Sequence, residues 1–150
     1  SESPVKIQLR SADVVAHESF ATSRLCHTPV RVLVKNCSWN KHIEFTLEML
    51  SSEDPMVLHP RGTAAGTGGG GALPAMSSTS NPHVNAEPFF WSGPTIPTSY
   101  LEPLQETEVV LLANFTAFGV YDISRWRLSA QSIGKGFMQM PNLAHCIQVS

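Results

Sequence analysis

The chain has 150 residues, of which 42% are apolar and 15% charged, enough for one domain with a real core spanning 1–150. Its net charge of −2 supplies no basic footprint for a phosphate backbone, so nucleic acid is not an expected partner. No apolar run approaches the roughly 20 residues that cross a bilayer, and the start, SESPVKIQLR, lacks the basic stretch and apolar core of a secretion signal.

Pro4 to Arg10 alternates, with Val5, Ile7 and Leu9 on one face and Lys6, Gln8 and Arg10 on the other, the period of a strand with one wet side. Val14 and Val15 continue a sheet edge. Thr28 to Cys37 is a stronger strand, in which Val30, Val32 and Val34 share a face and Pro29 suits the strand's beginning. A turn cluster over 36–41 follows. His42 to Met49 sets Ile43, Phe45, Leu47 and Met49 against His42, Glu44, Thr46 and Glu48. A helix competes here, because Ile43, Leu47 and Leu50 also fit i, i+4, i+7; the strict alternation favours a strand.

Arg61 to Ala86 is compositionally different, a glycine run at Gly68 to Gly71 set among Ala, Thr, Ser, Asn and Pro. Such a stretch cannot bury enough surface to offset its ordering entropy, which predicts a long disordered loop inside the domain. Pro88 to Trp91 resumes order and Ser92-Gly93-Pro94 turns the chain. A short extended segment at 96–102 is interrupted by Pro97.

The stretch Pro103 to Leu128 reads as two antiparallel strands joined at a tight corner. Val109, Leu111, Ala113 and Phe115 share a face, while Val110 and Leu112 keep the other face partly apolar, which predicts a central strand. Gly119 suits the corner because it takes φ > 0 at no steric cost. Gly119-Val120-Tyr121 fits a tyrosine corner, and Gly119 and Tyr121 are structural residues on this reading. The parity of Tyr121 and Ile123 does not match that of Trp126 and Leu128, which predicts a bulge near Ser124. Leu143 to Val149 closes as a last strand. About seven or eight short strands with turns between them predict an all-β, immunoglobulin-like antiparallel β-sandwich.

Catalytic and cofactor motifs are missing. The glycine run lacks the Gly-Lys-Ser/Thr ending of a phosphate loop, and there is no Gly-x-Ser-x-Gly elbow. Cys26-His27, His145-Cys146, Cys37 and His42 lack the ligand spacing of structural zinc, so no metal and no cofactor is expected. The odd count of Cys26, Cys37 and Cys146 fits reduced thiols better than a disulfide framework. Asn36-Cys37-Ser38 and Asn114-Phe115-Thr116 match the glycosylation pattern by coincidence, since Asn114 falls inside a strand. Among the aromatics, Trp39, Phe90 and Trp91 are candidate anchors for a protein partner.

The run FFWSGPTIPTSYLEPLQETEVVLLANFTAFGVYDISRWRL resembles the carboxy-terminal immunoglobulin-like module of transport protein particle (TRAPP) complex subunits, of the subunit 8 type. The likeness is carried by Trp91-Ser92-Gly93, by Leu101-Glu102-Pro103, and by Phe115 followed by Gly119-Val120-Tyr121-Asp122-Ile123; VRVLVKNCSWNKHIEFTLEML is similar to the strands that open such modules. The resemblance implies a non-enzymatic scaffold of a cytoplasmic tethering complex, peripheral to ER and Golgi membranes, acting in ER-to-Golgi transport and autophagy. The implied partners are other subunits, with a Rab GTPase engaged through the complex; the exchange site belongs to smaller subunits and transfers no residues here. Two rival readings are an extracellular immunoglobulin-like adhesion module, glycosylated at Asn36 or Asn114, and a small hydrolase using Cys37 or Cys146, with Cys37 and His145 as a pair that could meet in space.

Overall fold

The computed structural model describes residues 4–56 and 88–150; the stretch 61–86, expected to be a long loop, lies outside them. Among the described residues every regular segment is a strand, and no helix is long and apolar enough to cross a membrane. In chain order the strands are β1 (Val5–Arg10), β2 (Val14–Val15), β3 (Cys26–Asn36), β4 (Ile43–Met49), β5 (Phe89–Ser92), β6 (Ser99–Leu101), β7 (Glu106–Phe115), β8 (Gly119–Asp122), β9 (Trp126–Ser132), β10 (Lys135–Gln139) and β11 (Cys146–Val149).

One sheet has the order β1-β3-β7-β5 and a second the order β10-β9-β4-β6, each antiparallel throughout. A third, β2-β11-β8, pairs β11 antiparallel with β8 and parallel with β2. This third sheet continues the second, because β8 runs into β9 and β10 into β11 after short breaks. Joined across those breaks and across Ser11–Asp13, the eleven segments make eight strands in two layers, the arrangement of an immunoglobulin-like sandwich. Strand β7 is central, flanked by β3 and β5, and residues 43–49 form a strand rather than a helix.

The alternating faces meet between the layers. Val32, Val34 and Leu111 from the first sheet pack with Ile43, Phe45, Leu47, Trp126 and Leu128 from the second. Lower down, Val30, Phe89, Ala113 and Phe115 pack with Tyr121, Ile123, Ile147 and Val149.

Where a bulge near Ser124 is expected, the structure has an interruption: β8 ends at Asp122, β9 begins at Trp126, and the Arg125 N–H donates to the Ile123 carbonyl at 2.8 Å. Without it Trp126 and Leu128, now 5% and 0% exposed, would face water, at roughly 2 kcal/mol or more each. Asp122 repairs the interrupted ladder: its Oδ1 accepts from the N–H of Ser124 at 3.0 Å and of His145 at 3.1 Å. The corner just before it is as expected. Gly119 sits at φ 150°, and the Tyr121 hydroxyl donates to the Ala117 carbonyl at 2.6 Å.

The outer edge of β5 is occupied by the chain leaving β4. Ser52 donates its backbone N–H to the Phe89 carbonyl and accepts the Phe89 N–H on its hydroxyl, and the Trp91 N–H reaches the Ser51 hydroxyl at 3.3 Å. Arg125 holds this turn from below through the Ser51 and Asp54 carbonyls. Burial pulls the Arg125 guanidinium below its ordinary pKa, opposed by the charges of Asp54 and Asp122.

Candidate interaction surface

At the end of β3 the backbone must turn back toward β4, and Asn36 organises that turn. It is fully buried. Its Oδ1 accepts the Ser38 N–H at 2.9 Å, and its Nδ2 donates to the carbonyls of Lys41 (2.8 Å), Glu102 (3.1 Å) and Leu101 (3.2 Å). The Ser38 hydroxyl accepts the Lys41 N–H at 3.1 Å. These bonds satisfy the backbone of the turn from inside and leave Trp39 at its tip, 77% exposed.

Two neighbouring turns reach the same end. Glu102-Pro103-Leu104-Gln105 closes through the Gln105 N–H on the Glu102 carbonyl at 3.0 Å. Proline fixes position i+1 and Leu104 stands at φ 63°, the geometry of a type II turn whose next position favours glycine or asparagine. Strands β9 and β10 are joined by the two-residue turn Ile133-Gly134, with φ of 49° and 73°, a type I′ hairpin in which isoleucine replaces the usual Asn or Asp. The Leu104 N–H donates to the Ser38 carbonyl, and the Ser132 hydroxyl to the His42 carbonyl at 2.8 Å. His42 also contacts Glu102 at 2.8 Å, with its ring 6.1 Å from that of Tyr100.

Trp39, Tyr100, Leu104 and Ile133 therefore crowd one end of the sandwich, all of them exposed. Among the described residues Leu104 and Ile133 are also the non-glycine positions with positive φ. Left-handed backbone costs a branched or bulky residue about 1–2 kcal/mol, so the chain maintains strain at two exposed apolar tips where polar residues would relieve it. Between Trp39 and β10 a hollow of about 380 Å3 opens, with Phe137 in its wall. Such an end can bury apolar area against another protein; its hydrogen-bonding groups are largely turned inward to hold the loops.

The three sequence-predicted anchors are not brought together. Trp39 crowns the end just described. Phe90 lies on the outer face of the first sheet beside Asn114, at the other end of β3, on the order of 30 Å away by strand rise. Trp91 faces inward, packs on both core clusters and donates its indole N–H to the Leu50 carbonyl at 3.0 Å, which makes it part of the wall. Sequence reasoning missed Tyr100, Leu104 and Ile133. The signal available was an isoleucine directly before a turn glycine and a leucine directly after a turn proline.

The chemistry weighed from sequence finds no support in the geometry. Asn36 and Asn114 are buried and their side-chain amides are engaged, Asn114 with Phe90, Ser92 and Leu112, so neither presents a free acceptor for a glycan. All three cysteines are free thiols. Burial pushes the Cys26 thiol up, and burial with the Asp122 charge behind it does the same for Cys146. The His145 ring is hydrogen-bonded to Ser11 at 2.8 Å, whereas Cys37 follows the far end of β3, where its N–H meets the Pro4 carbonyl. Among the described residues no three metal-ligating side chains gather.

The model of one protein family, the TPPC8 C-terminal Ig-like domain, matches residues 4–132. The chain belongs to this family. No curated protein gives a significant match. Membership in the TPPC8 Ig-like family implies a component of a TRAPP complex, hence partners within a multisubunit assembly, and suggests a scaffold rather than an enzyme. The match takes in β1 through β9 and so includes the Trp39 turn, the Leu104 turn and Tyr121.

Proposed function

We propose that residues 1–150 form a single sandwich domain that serves as a non-catalytic scaffolding and protein-interaction module of a TRAPP-like vesicle-tethering complex. The complex would work at the cytoplasmic side of ER and Golgi membranes, in ER-to-Golgi transport and autophagy, and as a whole would activate a Rab GTPase. The observation that carries the reading is the loop end itself: Trp39, Leu104 and Ile133 exposed on tight turns beside Tyr100, exposed on strand β6. Exposed aromatic and branched side chains held on rigid loops are the usual anchors of a protein interface, because little ordering entropy remains to be lost on docking.

Affinity purification of the tagged full-length protein from cells tests it. The wild type should bring down trafficking-complex subunits, and a Trp39→Ala, Ile133→Asn variant should lose one or more of them. Recovery of no such subunit by the wild type defeats the proposal; full retention by the variant moves the docking surface elsewhere.

A further inference from the structure

The hollow beside Trp39 is bordered by two cationic side chains. Its walls are Trp39, Phe137 and Pro4, and its rim carries Lys41 and Lys135; among the described residues no carboxylate lines it. Both lysines are exposed, and among the described residues neither takes part in an ion pair. The nearby Glu102 carboxylate is engaged by His42. The wall hydroxyls are spent internally, Ser132 on the His42 carbonyl and Ser38 on the turn that holds Trp39. On a chain of net charge −2, this is a cationic rim around an apolar hollow.

We propose that this hollow receives an acidic peptide segment of a partner protein, one large apolar side chain seated against Trp39 and Phe137 and flanking carboxylates facing Lys41 and Lys135. The proposal rests on the loop end being the docking surface and adds the chemistry of its occupant. A volume of about 380 Å3 accommodates one aromatic or leucine side chain with its adjoining backbone, and is too small for a packed helix pair or a sheet. The paired lysines select sign and speed encounter, while the apolar wall supplies most of the affinity. Two lysines are too few for a nucleic-acid backbone, whose binders neutralise several phosphates, and fewer than the clusters of four to eight that read an anionic membrane.

The test uses the isotopically labelled chain and a short synthetic peptide with a central phenylalanine flanked by glutamates. Titration is followed by NMR at the Trp39 indole N–H. The expected result is a saturable shift that disappears when the phenylalanine is replaced by alanine or the glutamates by lysines. The Lys41→Glu, Lys135→Glu variant should bind the glutamate peptide roughly tenfold more weakly, as two exposed pairs predict, and should now take the lysine peptide. Because these positions are exposed, the variant keeps its fold, which its unchanged Trp126 indole signal would verify. Equal binding of the alanine peptide, indifference to charge reversal, or a response only to phosphatidylserine vesicles would each overturn the proposal. If no peptide titrates while Trp39→Ala still strips subunits from the full-length protein, the docking surface stands and only its occupant's chemistry is wrong.

Discussion

The backbone N–H of Leu104 donates to the carbonyl of Ser38 at 3.1 Å, across 66 residues of chain. That bond ties the turn before β7 to the turn that carries Trp39, so the two loops, each crossing between the layers of the sandwich, are joined to each other. Asn36 reinforces the link from beneath by donating to Lys41 on one loop and to Leu101 and Glu102 on the other. The exposed apolar tips thus rest on a common hydrogen-bonded base, which is why they can be treated as a single surface.

Asn36→Ala should be the most damaging change at this end. It leaves the Ser38 N–H and up to three carbonyls without a partner in a buried setting, at roughly 1–3 kcal/mol in total if the loops relax toward water. Urea unfolding should report the loss. Amide hydrogen exchange should show Ser38 to Lys41 unprotected well below the global unfolding free energy. Unaltered exchange there would mean that Asn36 does not organise the loop.

Relieving the left-handed strain should stabilise the protein while weakening docking. Ile133→Asn and Leu104→Gly each place a residue suited to positive φ where a bulky one now stands, worth about 1 kcal/mol apiece. Thermal melts should rise, and capture of complex subunits should fall. A stabilised variant with undiminished capture would show that these tips are incidental.

Tyr121→Phe removes a hydroxyl that is buried and paired with the Ala117 carbonyl. The expected destabilisation is about 1 kcal/mol or somewhat more, with the fold intact. Chemical denaturation at constant m-value would establish it. A neutral result would mean that the corner is held by packing alone.

Stability should decline in alkali through Cys26. Burial favours its neutral thiol, so its folded pKa lies above the unfolded one, near 8.5. The stabilisation is complete below the unfolded value and is lost as pH rises toward and through the folded one. Denaturation midpoints should fall above about pH 8.5, and Cys26→Val should flatten that part of the profile. Iodoacetamide at neutral pH should alkylate Cys146 slowly, since its thiol is also pushed up; rapid alkylation would reopen the case for a nucleophile.

Much of the architecture was legible because period-two patterning is enforced by a two-layer core. Strand β4 kept its alternation against a competing helical spacing, and the change of parity between Ile123 and Trp126 marks the interruption between β8 and β9. The exposed loop end was less legible. Trp39 stood out as an aromatic in a polar turn, but Tyr100, Leu104 and Ile133 come from three other stretches and meet only through long-range pairings such as Ser38 with Leu104 and His42 with Ser132. Phe90 and Trp91 looked equivalent to Trp39 in sequence. Register alone separates them, turning Trp91 into the core and carrying Phe90 to the opposite end.

The bonds between Ser52 and Phe89 have a bearing on how such a chain changes over time. They bring Ser52, five residues before the 57–87 stretch, and Phe89, two residues after it, within one hydrogen bond of each other. An edge sealed in this way acts as a splice point. For any flexible connection between two ends so joined, a change of length alters the closure cost only logarithmically, and the end of the sandwich built from Asn36 and its partners does not take part in that closure. Evolution can experiment at one margin of the sandwich without renegotiating its contacts at the other.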